Sequence, residues 1–441
     1  MKNFKRYTHL ITFLAFLALF IGQYLVFGVY HAPDTTAYAS FSPLVNPLYP
    51  VVLWLFRTPF GEGSGYFLLG LCQNILLVCS IFSLVDYLKG KFKFGFPFYL
   101  LLLTLCSFSI LAQKLFTQAG IISSNVLFSE ALTIPLYFYF FRYAFQAFSE
   151  QDKKAFLYTC LFAAALILTR GQLYWVLVVV FVIRLSFSGG HRGKALLSAV
   201  LVCAVIAGCV EGTRAVYSMS LPDDPDKSPA STYVLTTAVY CSKPDDAALF
   251  PADSAEQQLL LRVRPWMDDP ARLGAFSYET GDLTNRQAKF EATYDELRSI
   301  VLYNYRVLAK EGHVASLSSI MLKLILANAG SFALHCIQNV LTGLIRTVAI
   351  LHPLFNIYAG LFFVYLFICL LLTRKVPHLK KECRMAALGL FCVFLNALIM
   401  APGVFALSRY MFYNLPIMYI SALLFLRALV MEWQKWRQVK L

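Results

Sequence analysis

Residues 9–29 read HLITFLAFLALFIGQYLVFGV, a run without one Asp, Glu, Lys or Arg. A helix needs about 20 mostly apolar residues to cross the hydrocarbon core of a bilayer, so this stretch predicts a transmembrane span. Lys2, Lys5 and Arg6 precede it, and no small-residue cleavage site follows before His31. It therefore reads as an uncleaved first helix rather than a signal peptide. Nine further apolar stretches follow, near 65–87, 95–114, 124–146, 154–169, 171–188, 195–219, 355–373, 385–406 and 411–430. The chain has 441 residues, 59% hydrophobic and 14% charged, where soluble domains carry about 25% charged residues. That composition excludes a soluble enzyme, a disordered tail and a fibrous repeat. The expected fold class is an all-α polytopic membrane protein with about ten transmembrane helices.

The charges set the orientation. Lys89, Lys91 and Lys93 follow the second span; Lys153 and Lys154 follow the fourth; His191, Arg192 and Lys194 follow the sixth. Arg374, Lys375, Lys380, Lys381 and Arg384 follow the eighth, and Lys435 and Arg437 follow the last. With both termini cytoplasmic, every cluster lies on the cytoplasmic side, as the positive-inside rule requires. The net charge of +14 is thus topological. The stretch 221–311 carries 15 acids against 10 bases and no interleaved basic and aromatic tract, so no nucleic-acid partner is expected. Most of the 11 cysteines lie in apolar runs, and neither a disulfide framework nor a metal box is readable.

Three segments follow. Residues 1–220 form an N-terminal transmembrane module with an outer loop at 29–64. Residues 221–353 form a mixed extracytoplasmic region, and 354–441 a C-terminal transmembrane module. The region is polar from Leu221 to about Asp295, where Pro222, Pro225, Pro244, Pro251, Pro265 and Pro270 mark irregular structure, and it is expected to turn helical from about Ala288. There Leu334, Ile337, Leu341, Leu344 and Val348 recur at helical steps, with His335, Gln338, Asn339 and Arg346 on other faces. This reads as an interfacial amphipathic helix, because one more span would break the charge parity.

A small set of chemically capable residues faces outward. Asp34 is the first acid of the chain and stands just after the first span, suited to act as a general base. The competing reading is that it caps a short helix after Pro33. Glu130 lies in the outer half of the fourth span, where an ionisable group is paired or functional. Arg170 sits at a helix junction, Lys114 ends the third span, and Arg409-Tyr410 opens the last. Arginine forks match phosphate oxygens, although each of these cations also suits interfacial snorkelling. Glu211 and Arg214, one helical turn apart, are expected to pair with each other.

Pro33-Asp34-x-x-x-Tyr38 followed by Asn46-Pro47-Leu48-Tyr49-Pro50 resembles the first extracytoplasmic loop of the GT-C membrane glycosyltransferases, in their protein mannosyltransferase and aminoarabinose transferase-like branch. Ser129-Glu130, Thr169-Arg170 and Ser408-Arg409-Tyr410 with Pro416 are similar to further elements of that group. The likeness covers about 10–190 and 355–430. It implies a polyprenyl-phosphate-linked sugar as donor and a glycan, lipid or protein acceptor, with inversion at the anomeric carbon. Asp34 would be the base; Arg170, Arg409 and Lys114 would hold the lipid phosphate; Tyr38, Glu130 and Tyr410 would line the substrate site. Asn46 stands where the group often has His, and Gly171 where it has Pro. Thr35 follows Asp34, so no adjacent acid pair is present to hold a metal. No cofactor is expected, with a divalent-metal requirement left open. A polysaccharide polymerase or ligase, a flippase of lipid-linked sugars and an assembly subunit are the alternatives.

Overall fold

The computed structural model describes residues 2–32, 34–42, 45–116, 121–187, 192–221, 231–267, 285–348, 353–373, 380–403 and 411–440. Among these residues the regular structure is helical, apart from an isolated bridge pairing Tyr30 with Val126. Two compact units result. One comprises Met1–Pro225, Cys369–Cys392 and Leu415–Leu441; the other comprises Asp226–Ile368 and Val393–Asn414. The C-terminal stretch is therefore shared between the units.

The first unit begins with α1 (Lys2–Phe27), the short α2 (Thr35–Ala39) and α3 (Leu48–Phe92). A straight helix of α3's 45 residues would run roughly 68 Å, far beyond one bilayer. It breaks at Gly61, whose φ of 74° only glycine adopts without strain, two residues after Pro59. Then come α4 (Phe96–Leu111), α5 (Gln113–Phe116), α6 (Ser129–Glu150), α7 (Lys153–Thr169), α8 (Val176–Ser186) and α9 (Arg192–Met219).

Small residues let α1 and α3 approach closely. A Cβ on Gly70 would lie 2.5 Å from the Tyr24 hydroxyl oxygen and 2.8 Å from Cζ of that ring. Tyr24 is fully buried and donates to the Phe67 carbonyl at 2.7 Å, so it has little room to yield. Gly70→Ala is expected to cost about 1–3 kcal/mol by overpacking. Gly90→Ala, which meets nothing within 4 Å, is expected to leave the unfolding midpoint in detergent unchanged or raise it. Equal midpoints for the two variants would refute the close packing.

Lys91, read as a topological anchor, is also paired, meeting Glu150 at 2.7 Å. His9 lies 2.9 Å from Asp86, which also accepts from Tyr99.

The second unit contains α10 (Ser231–Tyr240), α11 (Ala255–Met267), α12 (Asn285–Lys310), α13 (Leu317–Ala327) and α14 (Ala329–Val348). Leu235, Val239, Phe250, Leu259, Val263, Leu297, Val301, Ile320 and Leu324 make its core. The chain ends through α15 (Pro353–Thr373), α16 (Lys380–Met400) and α17 (Leu415–Lys440).

Three expectations change. Each of the ten apolar stretches falls largely on helix where it is described, but among the described residues five helices have both the length and the hydropathy to cross a membrane, or six if α13 and α14 count as one bent span. Among the described residues the proline-marked region carries helices at 231–240 and 255–267 rather than irregular chain; Pro222, Pro225 and Pro270 lie outside the described residues. Pro244 opens a 3-10 turn where its missing N–H costs nothing, and Pro265 sits in the last turn of α11. The amphipathic stretch 334–348 lies on α14 as expected, and the change is the 94° bend at Asn328 that joins it to α13.

Candidate functional site

Asp34 occupies the N-cap position of α2 in αR geometry, yet its carboxylate accepts no cap hydrogen bond. It is exposed. The position thus fits the capping reading while the bond that would give it a purpose is missing. The loop around it is tied down at other points. The Thr35 hydroxyl donates to the Leu127 carbonyl at 2.9 Å. Tyr30 N–H donates to the Asn125 carbonyl and Leu127 N–H returns to the Tyr30 carbonyl, at 2.9 and 3.0 Å.

A ring of carboxamides fixes the other half of this zipper. Gln23 Nε2 donates to Asn74 Oδ1 at 2.9 Å and to Asn125 Oδ1 at 3.0 Å, and Asn125 Nδ2 donates back to Gln23 Oε1 at 2.9 Å. Inside a membrane-spanning bundle an unpaired amide is costly, so such a closed set locks α1, α3 and the 123–125 turn in one register.

Tyr38 is the hinge of the site. Its ring meets Tyr49 and Phe128 edge-on, with centroids 5.2 and 5.4 Å apart, inside an apolar cluster that includes Tyr66 and Leu132. Its hydroxyl donates to Ser129 Oγ at 3.1 Å, and Ser129 Oγ donates to Glu130 at 3.4 Å. Burial, chiefly, pushes the Tyr38 hydroxyl up to about 12; Glu130 and Asp34 add to the rise, against Ser129 and Arg170. Tyr38 therefore remains a neutral donor throughout the physiological range.

Glu130 lies in the first turn of α6, where the helix dipole favours a carboxylate. It forms an ion pair with Arg170, and the two side chains are only 9% and 11% exposed. Arg170 leaves the helical conformation to cap α7, which turns its guanidinium toward α6 and over the Phe128 ring at 5.9 Å.

Arg214 is a site residue that the sequence pairing with Glu211 understated. The pair exists, at 3.0 Å. The same guanidinium also donates to Asn46 Oδ1 at 2.6 Å, to the Ile167 carbonyl at 3.1 Å and to Tyr174 at 3.0 Å. It thereby fastens the far end of the first outer loop to the α7–α8 junction, and a Cβ on Gly171 would lie 3.5 Å from it. The available signal was a cation near the end of an otherwise apolar helix. Asn46→Ala removes a charge-assisted bond and is expected to cost about 1–3 kcal/mol, read as a lower unfolding midpoint in detergent. An unchanged midpoint would mean that the bond does not hold the loop.

The structure therefore brings Asp34, Tyr38, Glu130 and Arg170 together, with Arg214 and Asn46 beside Gly171. The Lys114 side chain is exposed, and its ammonium lies 4.8 Å above the Phe27 ring. Arg409 and Tyr410 lie outside the described residues. Among the described residues no group of three His, Cys, Asp or Glu side chains is arranged to hold a metal ion. No protein-family model, curated protein or solved structure matches the chain.

Proposed function

We propose that this chain is an integral membrane glycosyltransferase that moves a sugar from a polyprenyl-phosphate donor to an extracytoplasmic acceptor. The observation that carries the reading is Asp34: an exposed carboxylate with no cap bond, on a loop fastened at several points, beside a buried Tyr38–Ser129–Glu130–Arg170 chain. A carboxylate so placed is free to accept a proton while its backbone stays fixed, which a general base requires. In the proposed reaction the acceptor oxygen attacks the anomeric carbon and its proton passes to Asp34. The bond from that carbon to the phosphate oxygen breaks, and its electron pair leaves with the polyprenyl phosphate.

Arg170, Lys114 and Arg409 are the proposed partners of the leaving phosphate. Arg170 would do this while sharing its charge with Glu130, so Glu130 limits the positive field rather than acting on the sugar. Electrostatic help of this kind commonly supplies several kcal/mol. The proposed topology has ten spans, with both termini cytoplasmic and the site outside. Helices α4, α6, α7, α8 and α15 would complete the count beside the five that have the length and hydropathy to cross.

The test is stereochemical. The full chain in vesicles, given a polyprenyl-phosphate sugar of defined anomeric configuration and an acceptor alcohol, is expected to yield the inverted glycoside by proton NMR. A retained configuration would remove Asp34 from its role as base, because a single displacement inverts. Intact donor crossing the bilayer without glycoside formation would favour the flippase alternative.

A further inference from the structure

We propose that α13 and α14 form an elbow lying in the plane of a membrane leaflet. Its apolar sole rests on lipid acyl chains, and its polar side is covered by the second unit's own core. The inference does not depend on the glycosyltransferase reading.

Helix α14 is inside-out for a helix in water. His335, Asn339, Thr342, Arg346 and Thr347 are buried, whereas Leu334, Ile337 and Leu341 are each roughly half exposed. The buried polar side is built, not merely hidden. Arg346 makes a two-pronged ion pair with Glu291 at 2.7 and 2.9 Å, and Asn339 Nδ2 donates to the Ala401 carbonyl at 3.0 Å. The exposed side runs through Ala329, Gly330, Ala333, Leu334, Ile337 and Leu341 without one charge. Polar groups turned inward and aliphatic groups turned outward are what an apolar medium selects.

Helix α13 continues the sole around the bend. Leu317, Ile320 and Leu324 enter the unit's core, while Leu322 and Leu326 are exposed. Between them Lys323 keeps its ammonium 4.8 Å above the Phe250 ring and donates to the Leu249 carbonyl at 3.4 Å. A lysine stem along apolar surface with its head at a polar rim is the posture of an interfacial residue.

Lipid is the occupant favoured over protein for two reasons. The sole has no Trp, Tyr or Arg, the residues that anchor protein interfaces. The same unit also continues into α15, whose Ile357, Leu361, Val364 and Ile368 are likewise bare and aliphatic. An in-plane seat is favoured over a crossing by the 94° bend and by charge. If the 20-residue α14 crossed, Arg374, Lys375, Lys380, Lys381 and Arg384 would land opposite the other basic clusters.

The experiment uses the full chain in vesicles of phosphatidylcholine and phosphatidylglycerol. In a full-length chain whose 11 native cysteines are replaced by alanine or serine, single cysteines replace Leu326, Ile337, Leu341 and, as a water-exposed reference, Val314; the cysteine-free chain serves as blank. A membrane-impermeant maleimide is expected to label Ile337→Cys and Leu341→Cys at least ten-fold more slowly than Val314→Cys. Nitroxides at 326, 337 and 341 are expected at one shallow depth, about 5–10 Å below the headgroups. Labelling of Ile337→Cys at the Val314→Cys rate would overturn the proposal. So would a depth that increases steadily from 326 to 341, which means a plunging helix. Dipolar broadening between labelled copies would assign the face to self-association, and would also overturn it.

Discussion

Asp34→Asn is expected to lower sugar transfer by about 10²–10⁴-fold, the usual contribution of a positioned general base. The amide has the volume of the carboxylate but cannot take the acceptor proton. Because Asp34 is exposed and accepts no cap bond, the variant is expected to unfold at the same temperature as the parent. Donor KM is expected to hold, since the loss lies in the chemical step. Asp34→Glu is expected to recover part of the rate. A variant that keeps more than a tenth of parental turnover would remove Asp34 from the chemistry and return it to the capping position it occupies.

Glu130→Gln carries the second large effect, of a different kind. The ion pair it breaks has side chains about nine-tenths buried, so Arg170 would keep a charge deep in the unit with its carboxylate partner gone. Removing one partner of such a pair typically costs about 3–5 kcal/mol, more than the pair itself contributes. The expected reading is a marked fall in unfolding midpoint in detergent and loss of activity with it. Glu130→Gln combined with Arg170→Met is expected to restore much of the stability and none of the transfer. If the double variant also restored transfer, Arg170 would have no part in holding the phosphate. If the single variant unfolded like the parent, the pair would not be the buried contact described here.

The membrane class, the ten helical stretches and the paired character of Glu130 were legible because they are local. Hydropathy runs over one turn after another, and an acid inside an apolar helix advertises a partner. What was not legible depends on chain segments far apart. Arg214 holds Asn46 across 168 positions, and the Gln23–Asn74–Asn125 ring joins three separate stretches. Neither spacing nor composition announces such contacts. The bend at Asn328 was also hidden, because it interrupts a run of apolar helix, whereas Gly61 lies in the polar stretch 57–65 that closes the expected outer loop. Prolines misled in the other direction: Pro244 and Pro265 signalled irregular chain, yet Pro244 opens a 3-10 turn, where a helix tolerates it, and Pro265 lies within α11. The exposure of Asp34 shows the limit for the site itself. Its place after the first span was visible, while the absence of a cap bond required coordinates.

The central claim is that Asp34 serves bond cleavage on a lipid-linked sugar, and one measurement reaches it most directly. Full chain and Asp34→Asn are placed side by side in vesicles loaded with a polyprenyl-phosphate sugar and an acceptor alcohol, and the freed polyprenyl phosphate is quantified by mass spectrometry. The account predicts steady release by the parent chain and release at least a hundred-fold slower by the variant. Equal release by both, or movement of the intact donor across the bilayer with no phosphate freed by either, would contradict it.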